Sequence, residues 1–75
     1  MPRLPVVSGR EAVRAFERLG YAQARQRGSH VHLKPPDATR PRLTVPLHKE
    51  LKRGTLSSLL RDSGFSAQEF TDALR

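Results

Sequence analysis

The chain contains no cysteine. That excludes a disulfide framework, thiolate–zinc sites and a cysteine nucleophile, and nothing demands an oxidising compartment. Tryptophan is also absent, and apolar residues are only 36% of 75 residues, so the core must be thin. A domain this short buries only about 60% of the surface its unfolded chain exposes. An enclosed cofactor cavity of roughly 300–1,000 Å³ is therefore disfavoured, and any site should be an open surface. No apolar run approaches the ~18–20 residues needed to span a bilayer. The opening Met1–Val7 stretch carries two prolines and no apolar core of signal-peptide length. The cytoplasm is the expected address.

Acidic side chains are scarce as well. Asp and Glu number 7 against 14 Lys and Arg, a net charge of +7. Such an excess draws polyanions: nucleic acid, an anionic membrane or an acidic protein. Residues 21–53 hold eight cations (Arg25, Arg27, Lys34, Arg40, Arg42, Lys49, Lys52, Arg53) against Asp37 and Glu50, a net of +6. Residues 54–75 come to −1, with two cations and three acids. Arg10, Arg14 and Arg18 add a basic stripe at helical spacing near the start. The charge is thus neither a tail nor a membrane-surface helix, and phosphate binding is the favoured use of the cluster.

Local signals divide the chain into six elements. Ser8-Gly9-Arg10-Glu11 fits a capping box. Val13, Phe16 and Leu19 then recur at helical spacing and Gly20 ends the run, which predicts a helix over about 9–19, with Val6 or Val7 stapling its first turn. Tyr21–Arg27 reads as a weak strand with poor alternation. Gly28 turns the chain, and its missing side chain is expected to admit another backbone closely. Ser29–Lys34 alternates cleanly, with Val31 and Leu33 on one side and His30, His32 and Lys34 on the other. The three prolines of residues 35–41 make a loop. Arg42–Val45 is a third strand, stopped by Pro46, and residues 47–53 form a basic connector. Leu56, Leu59 and Leu60 mark a helix over 55–63 ended by Gly64. Ser66-Ala67-Gln68-Glu69 caps a last helix carrying Phe70.

The order α-β-β-β-α-α predicts a single α+β domain over residues 1–75. Three antiparallel strands form a meander with the helices on one face. His30, His32, Lys34, Arg42 and Thr44 are expected on the other. This is the architecture of double-stranded-RNA-binding domains, an analogy at the level of fold.

Imidazole is the side chain whose ordinary pKa, ~6.5, suits proton transfer near neutrality. His30 stands out because it follows Gly28-Ser29 at a strand start among cations. His48 is read as structural, fixing the connector, with a second proton-transfer role as the lesser alternative. A zinc site from His30, His32 and His48 has no carboxylate placed to orient it.

Two stretches together resemble the HicA toxin family. One is Gly28-Ser29-His30-Val31-His32-Leu33-Lys34. The other is Thr44-Val45-Pro46-Leu47-His48-Lys49-Glu50-Leu51-Lys52-Arg53-Gly54-Thr55-Leu56, followed by Leu59-Leu60-Arg61. Leu4–Gly9, Phe16 and Leu19–Tyr21 fit as well. The proline-rich loop and the polar first strand depart from the pattern. The resemblance implies a small toxin that cleaves mRNA without a metal or other cofactor and is neutralised by a HicB-like antitoxin. The family's catalytic histidine carries over to His30. RNA contacts are then expected from Arg25, Arg27, Gly28, Ser29, Lys34, Lys49, Lys52 and Arg53. DNA, which lacks the 2′-hydroxyl, and membranes are not expected partners. The alternatives are a non-catalytic module that binds duplex RNA by shape and a basic domain that meets only an acidic protein.

Overall fold

Two capping boxes set the first and last helices. In the computed structural model, which describes residues 3–75, helix α1 spans Gly9–Arg18. Met1 and Pro2 of the proline-containing opening stretch lie outside the described residues. The Ser8 hydroxyl accepts from the Glu11 amide at 3.1 Å, and the Glu11 carboxylate accepts from the Ser8 amide at 2.9 Å. Helix α3, Ala67–Ala73, repeats the arrangement with Ser66 and Glu69, at 2.9 and 3.0 Å.

Gly20 closes α1 with a φ of +110°. Its amide donates to the Glu17 carbonyl, and the Tyr21 amide donates to that of Phe16. That pairing is a Schellman motif, and its hydrophobic contact is the edge-on stack of Phe16 on Tyr21, centroids 5.8 Å apart. Of the two valines before the helix, Val7 is buried and Val6 is 78% exposed. Val7 occupies the staple position.

The sheet is an antiparallel meander in the order β1-β2-β3: β1 Ala22–Arg27, β2 His30–Lys34 and β3 Leu43–Pro46. Val31, Leu33, Leu43 and Val45 point to the helices and are buried. Helix α2, Arg53–Ser63, adds Leu56, Leu59 and Leu60, and Phe16 and Phe70 meet at 5.2 Å to join α1 to α3. Two layers therefore share one apolar seam, as the period-two and period-3.6 patterns require.

Several boundaries shift by one or two residues from the sequence reading. Pro46 is the last residue of β3 rather than its stop. It lies on an edge strand, where a missing amide need not cost a ladder bond. Helix α2 starts at Arg53, two residues early, from Lys52, whose side chain makes no capping bond. The proline-rich loop is tied at its C-terminal end. Tyr21 donates its hydroxyl to the Pro41 carbonyl at 2.9 Å, and Arg40 donates to the Ser63 carbonyl at the end of α2.

The connector 47–52 is fastened through its backbone. Leu47 N–H donates to Ser29 O at 2.6 Å, Gly9 N–H to His48 O at 2.9 Å, and Leu51 N–H to Val7 O at 2.8 Å. A β-carbon on Gly9 would sit 2.1 Å from the Pro46 oxygen and 2.7 Å from the Leu47 α-carbon. Close backbone approach is thus the demand at Gly9, and it docks the helix start onto the connector.

Candidate functional site

The turn Gly28-Ser29 brings β1 back as β2. Gly28 has a φ of +56°, and among the described residues no non-glycine has a positive φ. A positive φ at the first central residue alone is the type II′ pattern of two-residue hairpins. No atom lies within 4 Å of where a Gly28 β-carbon would stand. The expected close backbone approach is therefore absent. Gly28 serves the twist of the turn instead.

Cross-strand register assembles the face. Arg27 pairs with His30 and Arg25 with His32. On the other side His30 pairs with Pro46, and His32 with Thr44. Paired residues share a face, with β-carbons ~4.5–5.5 Å apart. His30 is exposed, His32 half-buried and Thr44 exposed, and the Thr44 hydroxyl lies 3.2 Å from His32 Nδ1.

A register slip explains the poor alternation of β1. Gln23 pairs with Leu33, Arg25 with His32, and Ala24 has no partner. One inserted residue reverses the phase of everything after it. Gln23 and Gln26 therefore both lie towards the helices, where they line a cleft of about 190 Å³ with Arg10 and Arg14. Without the slip, Arg25 and Arg27 would share Gln23's side. With it, they share the histidine face.

The other expected contact residues are distributed unevenly. Ser29 is held beside the connector by its bond from Leu47, so the connector begins next to His30. Lys49 is exposed on that connector, Lys52 is the N-cap of α2 and Arg53 is its first residue. No acid stands in that first turn, which keeps the helix start electropositive. Lys34 lies on the same face as His30 but four residues along the strand, roughly 13 Å away. It borders the proline-rich loop with Arg42. The side chain of His48 is exposed, and its carbonyl holds Gly9.

Two cations in the basic patterns are committed elsewhere. Arg40 lies 4.0 Å over the Phe65 ring, donates to Ser63 O and stands 3.5 Å from the Asp37 carboxylate. Hydrogen bonds from the Thr39 side chain and amide hold the Asp37 carboxyl below its ordinary range. Arg18 donates to the Ala73 and Arg75 carbonyls at the end of α3. The expected Arg10–Arg14–Arg18 stripe is thus shortened to its first two members. Apart from Asp37, three residues before Arg40, nothing local marks these uses, because the carbonyl partners lie 23, 55 and 57 residues away in the chain.

Among the described residues no three His, Cys, Asp or Glu side chains come together as metal ligands would. No helix among the described residues is long and apolar enough to cross a membrane. The register places imidazoles, guanidiniums and a hydroxyl on one open sheet face, an arrangement able to receive an anionic polymer. A family model described as the HicA toxin of bacterial toxin–antitoxin systems matches residues 9–65. No curated protein gives a significant match.

Proposed function

The chain belongs to the HicA toxin family of bacterial toxin–antitoxin systems, and on that premise we propose that it is a metal-independent endoribonuclease acting on mRNA in the cytoplasm. An antitoxin partner follows from the family, and we take it to be HicB-like. RNA carries its own nucleophile. The ribose 2′-hydroxyl attacks the adjacent phosphorus once a base removes its proton and cations offset the growing charge. His30 is the proton carrier in this reading. Arg25, Arg27 and Lys49 hold phosphates around it, while Lys34 contacts the strand farther along. Gly28 and Ser29 shape the turn, and Lys52 and Arg53 extend the positive field along the connector.

The observation that carries the reading is the pairing of exposed His30 with Arg27, beside the Arg25–His32 pair, on the uncovered face of the sheet. A wild-type preparation should cut RNA with EDTA present, leave DNA intact and give 2′,3′-cyclic phosphate ends. Folded His30→Ala protein should lose at least about a hundredfold in rate, the low end of general acid–base contributions, and should no longer arrest growth. Undiminished cutting by that variant would sink the assignment. A gel shift without cutting by wild type would instead identify an RNA-binding module.

A further inference from the structure

Cleavage of this kind moves two protons, and one histidine accounts for one of them. The 2′-oxygen bonds to phosphorus, the P–O5′ bond breaks, the 2′-hydroxyl loses a proton and the departing 5′-oxygen needs one. We propose that His32 supplies the second proton, with His30 taking the first. The proposal rests on the reading of the chain as a ribonuclease.

Placement is the first support. His30 and His32 are two residues apart on β2, so both imidazoles leave the same face with α-carbons about 6.8 Å apart. Each stands opposite an arginine, Arg27 and Arg25 respectively. Two acid–base groups and two guanidiniums thus form a two-by-two array. The slip at Ala24 is what puts both arginines into it.

Orientation is the second support. His32 is half-buried between Arg25 on one neighbouring strand and Thr44 on the other. The Thr44 hydroxyl lies 3.2 Å from Nδ1. A hydroxyl can donate to a bare ring nitrogen or accept from a protonated one. The contact therefore holds the ring in both protonation states and leaves Nε2 for the substrate. The charged or titratable groups around His32 are Arg25 and Arg27 from β1, His30 and Lys34 from its own strand, and Arg42 just before β3, while the Asp62 carboxylate of α2 shares a cleft with Arg42 and Thr44.

The test uses two oligoribonucleotides, one with the ordinary 5′-oxygen and one with sulfur at the scissile 5′-bridge. A thiolate leaves without protonation, since a thiol's ordinary pKa is near ~8.5. For wild type on the oxygen substrate, rate should fall on the alkaline side as the acid deprotonates. That limb should vanish on the sulfur substrate. His32→Gln should slow oxygen-substrate cutting by roughly 10²–10⁴-fold, lose the alkaline limb and regain near wild-type rate on sulfur. His30→Ala should stay slow on both. His32→Gln that cuts the oxygen substrate at full rate overturns the proposal, as does equal loss on both substrates. A wild-type alkaline limb that survives on sulfur overturns it without needing any variant. Wild type that cuts neither substrate would instead end the ribonuclease reading itself.

Discussion

Arg25 and Arg40 carry the same side chain and lie 15 residues apart, yet they do opposite things. Arg25 is exposed on the uncovered face opposite His32. Arg40 is turned inward, stacked on Phe65, bonded to the last turn of α2 and joined to Asp37. The same contrast separates Arg27 from Arg18, which closes the carbonyl end of α3. One pair of arginines holds the molecule together, and the other is left exposed on the open face. Net charge counts them alike. A guanidinium bonded to backbone carbonyls still adds its charge to the long-range field, but its donors are occupied and it is not free to clamp a phosphate directly.

The contrast breaks first at Arg40. Arg40→Ala removes a charged hydrogen bond and a cation–π contact, so unfolding free energy should drop by about 2–3 kcal/mol. Arg40→Lys should not restore it, since an ammonium lacks the planar stack. Unchanged denaturant midpoints for both would show that Arg40 is as idle as a surface cation. The Asp37 side of the contact, an exposed pair, adds little.

The opposite arm is the Arg25→Ala/Arg27→Ala double variant. Its thermal midpoint should match wild type, while the log–log salt dependence of RNA binding becomes shallower by about 1.4, two phosphates at ~0.7 each for a single strand. Arg18→Ala, run beside it, should lower stability by about 1 kcal/mol and leave that slope alone. A shallower slope for Arg18→Ala would erase the distinction between the two classes.

The smallest effect concerns acid. Hydrogen bonds from the Ser8 amide and hydroxyl hold the Glu11 carboxyl below the usual carboxylate range. A folded pKa below the unfolded one adds stability above the unfolded value, ~4.3, and that stability fades as pH falls through the folded value. Thermal midpoints should therefore slip below about pH 4.3. Ser8→Ala should flatten that slip and cost about 1 kcal/mol near neutrality. A steeper acid loss in Ser8→Ala would contradict the capping account.

The parts legible in the sequence were those whose partners lie within a few residues. Ser8 with Glu11, Ser66 with Glu69 and the glycines at 20, 28 and 64 each act on neighbours, so residue type and spacing suffice. Clean alternation in β2 gave away which side His30 and His32 occupy. Boundaries failed where local signals were weak, as at the start of α2, which has no side-chain cap. The slip at Ala24 was invisible because it exists only relative to β2. Poor alternation in 21–27 was its trace, and it reads equally well as a weak strand. The Thr44–His32 contact needed the β2–β3 register, which a loop from Pro35 to Pro41 separates in the chain.

What the sequence determined alone is the order of elements, the apolar seam and the presence of His30 at the head of a strand among cations. These depend on hydrogen bonds and periodicities that span a turn or a strand. Tertiary structure decided which cations remain available. That depended on carbonyls and rings up to 57 residues away, and on one unpaired residue in β1 that turned Arg25 and Arg27 to the histidine face. A guanidinium takes whichever acceptor the fold brings within reach, and only the assembled chain supplies it.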